Sequence, residues 1–150
     1  MIRIQAEDFD VGGEIAALTD GKLGIGGVVS FVGLVRDVSD GERITSMTLE
    51  HYPGMTERKL ADIEAESRRR WALDEVLVIH RVGHLDAGER IVLVAVAAAH
   101  RQAAFEACQF IIDWLKTEAP FWKLEETDAG PRWVEARASD RRAASRWQKS

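Results

Sequence analysis

The stretch HRQAAFEACQFIIDWLKTEA, residues 100–119, constrains this 150-residue chain more than any other. On a wheel at about 100° per residue, Phe105, Cys108, Ile112 and Leu115 define an apolar face, and the spacing predicts a long amphipathic helix. Pro120 stops it. The preceding RIVLVAVAAA (90–99) is apolar and rich in β-branched residues, so it reads as a strand that hands over to the helix at AHR (99–101).

The remaining elements follow from composition and alternation. VGGEIAALTD (11–20) reads as a short helix and GVVSFVGLVR (27–36) as a strand. DVSDGER (37–43) reads as a mobile loop and ITSMTLEHY (44–52) as a second strand. Residues 56–71 turn helical, with Leu60, Ile63 and Trp71 on one stripe and Thr56 as a candidate N-cap. EVLVIHRVG (75–83) is a strand joined to 90–99 through HLDAGE. FWKLEET (121–127) and RWVEAR (132–137) flank DAGP, a hairpin turn, and a short polar helix closes the chain near Trp147. Strict β-α alternation is absent, so the class is α+β. The glycines of GKLGIGG (21–27) precede a strand instead of opening a helix after one, which is the wrong context for a dinucleotide-binding fingerprint.

The length suits one domain spanning residues 1–150. With 46% hydrophobic and 30% charged residues the chain reads as soluble and globular. Its net charge of -5 argues against a general nucleic-acid binder, so an anionic ligand has to be met by a local cationic cluster. Cys108 is the single cysteine, which excludes an internal disulfide and a four-thiolate zinc site. The N-terminus lacks a signal-peptide layout, and no apolar run approaches the roughly 20 residues that cross a bilayer. A cytoplasmic protein with no membrane contact and no metal is expected.

Candidate chemistry gathers at the ends of the long helix. Lys116 falls on its apolar face in the last turn. Either its stem covers apolar surface while the ammonium reaches water, or it is a partly desolvated nucleophile or base. Lys123 follows Pro120-Phe121-Trp122, and strand alternation puts it on one face with Phe121. It is either an edge-strand lysine or a second cation aimed into the pocket of Lys116. His100 and Arg101 flank the helix N-terminus, where free backbone N–H groups favour anions; the alternative is a histidine near the cap beside a solvated arginine. Arg36 lies at a strand end before a polar loop. Cys108, mid-helix and apolar-facing, reads as core.

FVGLVRD, TLEHYPGMTE, VIHRVG, AHRQAAFEACQFIIDWLKTEAPFWK and RWVEAR, in that order, resemble the catalytic large-subunit family of molybdopterin synthases over roughly residues 27–147. The first 26 residues match the family poorly, and no function is drawn from them. The resemblance implies an α/β hammerhead-type fold with an additional small antiparallel sheet. It implies a homodimer, and a heterotetramer once each copy binds a small ubiquitin-like sulfur-carrier subunit whose C-terminal Gly-Gly ends in a thiocarboxylate. The substrate would be cyclic pyranopterin monophosphate, which receives two sulfurs to form a dithiolene, with no cofactor required. Lys116 would be the central catalytic lysine, and Lys123 would assist proton transfer or hold the substrate. Arg36, His100 and Arg101 would hold phosphate and pterin, and Arg137 would reach a pocket across the dimer. Leu124 and Glu118 stand where basic residues are common in the family. Two rival readings are a binding module that grips a carrier tail without catalysis, and a phosphoesterase acting on the cyclic phosphate.

Overall fold

The computed structural model describes residues 1–134 and 138–149. In chain order the elements are β1 (Ile2–Gln5), α1 (Val11–Thr19), β2 (Gly27–Leu34), β3 (Val38–Ser39), β4 (Glu42–His51), α2 (Met55–Arg70) and β5 (Glu75–Arg81). They continue with β6 (Gly83–Asp86), β7 (Arg90–Ala98), α3 (Arg101–Glu118), β8 (Phe121–Thr127), β9 (Gly130–Val134) and α4 (Ala138–Ser145), and a 3₁₀ turn covers Arg146–Lys149. The architecture is α+β, built on two curled sheets.

The first sheet runs β1-β5-β7-β2, with β1 parallel to β5 and the other pairs antiparallel. Val76–Arg81 and Val92–Ala98 are buried without interruption, because helices cover both faces of this sheet. Alternate residues divide between two cores. Val76, Val78, Val94 and Val96 pack with Phe110 and Ile111 of α3, whereas Leu77, Ile79, Leu93 and Ala95 pack with Phe9 and Leu18. Each such large side chain contributes about 1.5–3 kcal/mol on burial.

The second sheet runs β3-β4-β8-β9, and β6 pairs with the other edge of β4. Two of its strands correct the sequence reading. The loop expected at 37–43 is a tight hairpin, because Asp40 and Gly41 both take positive φ (50° and 79°) in the two-residue Asp-Gly turn that suits paired strands. The connection expected in HLDAGE begins with strand β6. Gly83, at φ 91°, lets the chain leave the first sheet after β5 and pair with β4 of the second. The end of β5 therefore sits at the junction of the sheets.

Two local expectations on the helices also change. The buried face of α3 comprises Ala104, Ala107, Cys108, Ile111 and Leu115, while Phe105 is 60% exposed. Gly54, not Thr56, takes the cap position of α2. Thr56, the second residue of α2, is buried, and its Oγ1 donates to the Tyr52 carbonyl (2.8 Å) and holds the turn out of β4.

The chain end is tied back to α3. The buried Asp113 carboxylate accepts hydrogen bonds from Trp147 Nε1 (2.7 Å) and Arg146 (3.0 Å). The Trp147 ring packs edge-on against Trp71 and Phe110. Among the described residues no helix is long and apolar enough to cross a membrane.

Candidate active site

A cavity of about 1100 Å³ opens where the C-terminal end of α3 meets the second sheet. Lys116 reaches it from the last turn of α3, Lys123 from β8, and Arg36 from the segment after β2. Lys123 is half-buried between Leu49 of β4 and Val134 of β9, its partners in register. Phe121 shares its face, as alternation predicts, and lies opposite His51. Trp122 stays 46% exposed and meets Tyr52 edge-on, with ring centres 4.7 Å apart.

Lys116 is exposed in the single chain. The shift of the buried face of α3 away from Phe105 leaves it at the cavity mouth instead of under apolar cover. The desolvation that a nucleophilic lysine requires can therefore come only from whatever fills the cavity. Lys116 and Arg36 have no hydrogen-bond or ion-pair partner among the described residues. Five arginines away from the cavity behave differently: Arg3, Arg68, Arg70, Arg81 and Arg90 are all ion-paired.

Acids share the lining, including Glu50, Glu118, Glu125 and Asp140. Glu125 is buried and held by Arg132 at 3.2 Å, so its charge is already matched. Glu118, where the resemblance led to the expectation of a basic residue, faces the cavity and lowers its positive potential. Leu124 is half-buried on the other face of β8, paired with Thr48 and Trp133, so that departure leaves the lining unchanged.

The structure separates the remaining expected site residues from this cavity. His100 occupies the cap position of α3, with Arg101 as its first residue, and both are exposed. Fifteen residues of helix put Arg101 about 22 Å from Lys116 along the axis. The expected grouping of His100 and Arg101 with Arg36, Lys116 and Lys123 therefore does not form within one chain. Arg137 lies outside the described residues.

Two residues went unremarked in the sequence. Arg141 of α4 also lines the cavity, without a partner among the described residues. A basic residue in a polar helix resembles any solvated surface position, so no sequence signal marks it. His80, the penultimate residue of β5, is 3% exposed and stacks face to face on Phe121, with centroids 3.8 Å apart and planes 13° apart. Burial pushes its pKa down to about 3, and the charges of Lys123 and Lys116 add to the effect. The ring is thus neutral at ordinary pH.

Cys108 is buried with Sγ 4.0 Å from the Val94 carbonyl oxygen, and burial pushes its thiol up to about 12. It is a protonated core thiol, unsuited to carry sulfur. Among the described residues no group of three His, Cys, Asp or Glu side chains could hold a metal ion.

The two-sheet α+β scaffold carries a cavity lined by Arg36, Lys116, Lys123 and Arg141, while its one thiol lies buried in the core. The chain belongs to the MoaE family, whose model matches residues 4–118. That match begins well before residue 27, so the N-terminal segment is part of the family pattern, contrary to the sequence reading. The chain is 58% identical to the molybdopterin synthase catalytic subunit of Ralstonia nicotianae, over 97% of this chain and 83% of the relative. Its fold matches a molybdopterin biosynthesis MoaE protein from Burkholderia ambifaria with TM-score 0.85 and 50% identity, over 100% and 99% of the two chains. It also matches molybdopterin synthase from Staphylococcus aureus with TM-score 0.81 and 30% identity, over 88% and 95%.

Proposed function

We propose that this chain is the catalytic subunit of a molybdopterin synthase, a sulfurtransferase that moves two sulfurs onto cyclic pyranopterin monophosphate to form the dithiolene of molybdopterin. The sulfur arrives as the C-terminal thiocarboxylate of a small ubiquitin-like carrier subunit. The observation that carries this reading is the convergence of Lys116, Lys123 and Arg36 on one cavity in a chain whose lone cysteine is buried and protonated. Both reactants are anions, and the cavity offers them cations, of which Lys116 and Arg36 have no partner among the described residues.

In this reading Lys116 stands at the open mouth, meets the thiocarboxylate and stabilises charge as sulfur leaves the carrier. Lys123, deeper and held by strands on both sides, orients the pterin or relays a proton. Arg36 takes the phosphate in the two-pronged manner that guanidinium allows. His100 and Arg101 join the site only from a second copy of the chain, which fits a homodimer that binds one carrier per copy. The same arrangement would bring Arg137 across the dimer.

The test is reconstitution. This chain, mixed with the cyclic precursor and at least two equivalents of thiocarboxylated carrier, each supplying one sulfur, should form the dithiolene. Tail binding without conversion would favour the pure binding module. Phosphate release without a carrier would favour a phosphoesterase.

A further inference from the structure

Beneath the cavity lies a buried, titratable ring that the proposed chemistry does not use. His80 comes from the first sheet, yet its closest aromatic neighbour is Phe121, the first residue of β8 in the second. Its Nδ1 lies 2.9 Å from the Arg81 carbonyl oxygen, which can only accept, so Nδ1 carries the proton and donates. The hydrogen bond fixes the ring plane, and burial keeps the ring uncharged. His51 meets the same Phe121 ring at 6.3 Å with a 39° tilt. Phe121 is therefore engaged by side chains from β5 and β4 together.

This contact sits at the point that sets the spacing of the two lysines. Lys116 ends α3, Ala119 and Pro120 make the turn, and Phe121 opens β8 two residues before Lys123. A backbone twist at Phe121, the start of β8, would carry Lys123 with it, because residues two apart on a strand share a face. It also changes the angle at which the chain leaves α3 below Lys116. We propose that His80 is a positioning residue for the lysine pair: its ring, locked by the Arg81 carbonyl and stacked on Phe121, holds Lys116 and Lys123 at their working separation from behind the cavity floor.

A neutral ring suits that place. A fixed cation behind the floor would repel both ammonium groups, whereas an uncharged plane gives the same support without repulsion. An aliphatic side chain would fill the volume but offer no flat surface to set the Phe121 ring.

The inference rests on the proposed reaction, and the experiment separates the two. Single-turnover conversion by the complete complex is measured for the wild type, His80→Leu, His80→Phe and Phe121→Leu, together with the affinities for precursor and carrier. His80→Leu should slow the bound-state step roughly 30- to 100-fold, as expected when reacting groups shift by about an ångström, with both affinities within about 3-fold of wild type. His80→Phe, which keeps a flat ring, should return to within about 3-fold of the wild-type rate. Phe121→Leu should reproduce the loss from the cavity side, and it decides the matter if His80→Leu does not fold. A wild-type rate in His80→Leu, or in Phe121→Leu, would overturn the positioning role. So would a folded His80→Phe variant as slow as His80→Leu, since the stack would then not be what acts. A wild-type complex that fails to convert at all would instead refute the reaction assigned to the chain.

Discussion

The two ends of α3 carry similar side chains and have very different surroundings. At the N-terminal end His100 and Arg101 stand exposed at a helix start, where backbone N–H groups already favour an anion. At the C-terminal end Lys116 opens onto a cavity of about 1100 Å³, joined by Lys123 and Arg36 and floored by Phe121 on a buried histidine. The helix dipole alone would place the anion site at the first end. Tertiary structure places the enclosure at the second, because the second sheet curls against the end of α3 and, among the described residues, nothing comparable covers its start. A cationic residue becomes part of a site through the walls around it, and local sequence does not encode those walls.

The largest expected effect tests the enclosed end. Lys116→Ala should lower single-turnover conversion by at least about 100-fold, the scale of removing one group that stabilises charge in the transition state. The side chain is exposed and unpartnered among the described residues, so the melting temperature should hold. Conversion within a few-fold of wild type would remove Lys116 from the chemistry and level the difference between the two ends.

The next effect asks whether the open end serves the same reaction. Arg36→Ala and Arg101→Ala should each weaken precursor binding roughly 10- to 150-fold, the equivalent of about 1.5–3 kcal/mol for a charged contact. For Arg36 the contact is made within its own chain. For Arg101, about 22 Å away along the helix, it has to be made in a partner copy. Mixing Lys116→Ala chains with Arg101→Ala chains, with exchange confirmed by mass spectrometry, should therefore restore part of the activity. One pocket of each mixed dimer would be intact. No recovery would confine Arg101 to a surface role.

Most of the fold was legible because its signals are local. The apolar runs of β5 and β7, the amphipathic period of α3 and the stop at Pro120 each point to one structure, and each formed within a few residues of the expected bounds. Strand β6 was not legible: four residues that begin with a positive-φ glycine carry too little pattern to separate from a loop. The Asp40-Gly41 pair is itself a hairpin signal, but its polar flanks read equally as a loop. At the site, the lysine pair showed itself through spacing around Pro120. The exclusion of His100 and Arg101, the cavity position of Arg141 and the stack under Phe121 all depend on how two sheets meet, which no periodicity records.

The smallest effect concerns the cavity floor and is read in stability, with activity set aside. The folded chain holds His80 with a pKa near 3, chiefly through burial, against about 6.5 for an exposed histidine. Between those values the unfolded chain binds a proton that the folded chain refuses. Stability is therefore fully present above about pH 6.5 and falls as the pH drops toward 3, at up to about 1.4 kcal/mol per pH unit. Between pH 7.5 and pH 5 this amounts to about 2 kcal/mol. The carboxylates held low by arginine or lysine, Asp8, Glu14 and Glu75, act in the same direction but begin to lose stability only at lower pH. The window above pH 5 thus belongs mainly to His80, and subtracting the profile of His80→Phe from that of the wild type isolates it. Urea unfolding at half-unit intervals from pH 5 to 7.5 should show a slope in the wild type that is reduced in His80→Phe. Equal slopes would mean that water reaches His80 beneath the cavity, and the floor that distinguishes this end of α3 would be open to solvent instead of sealed.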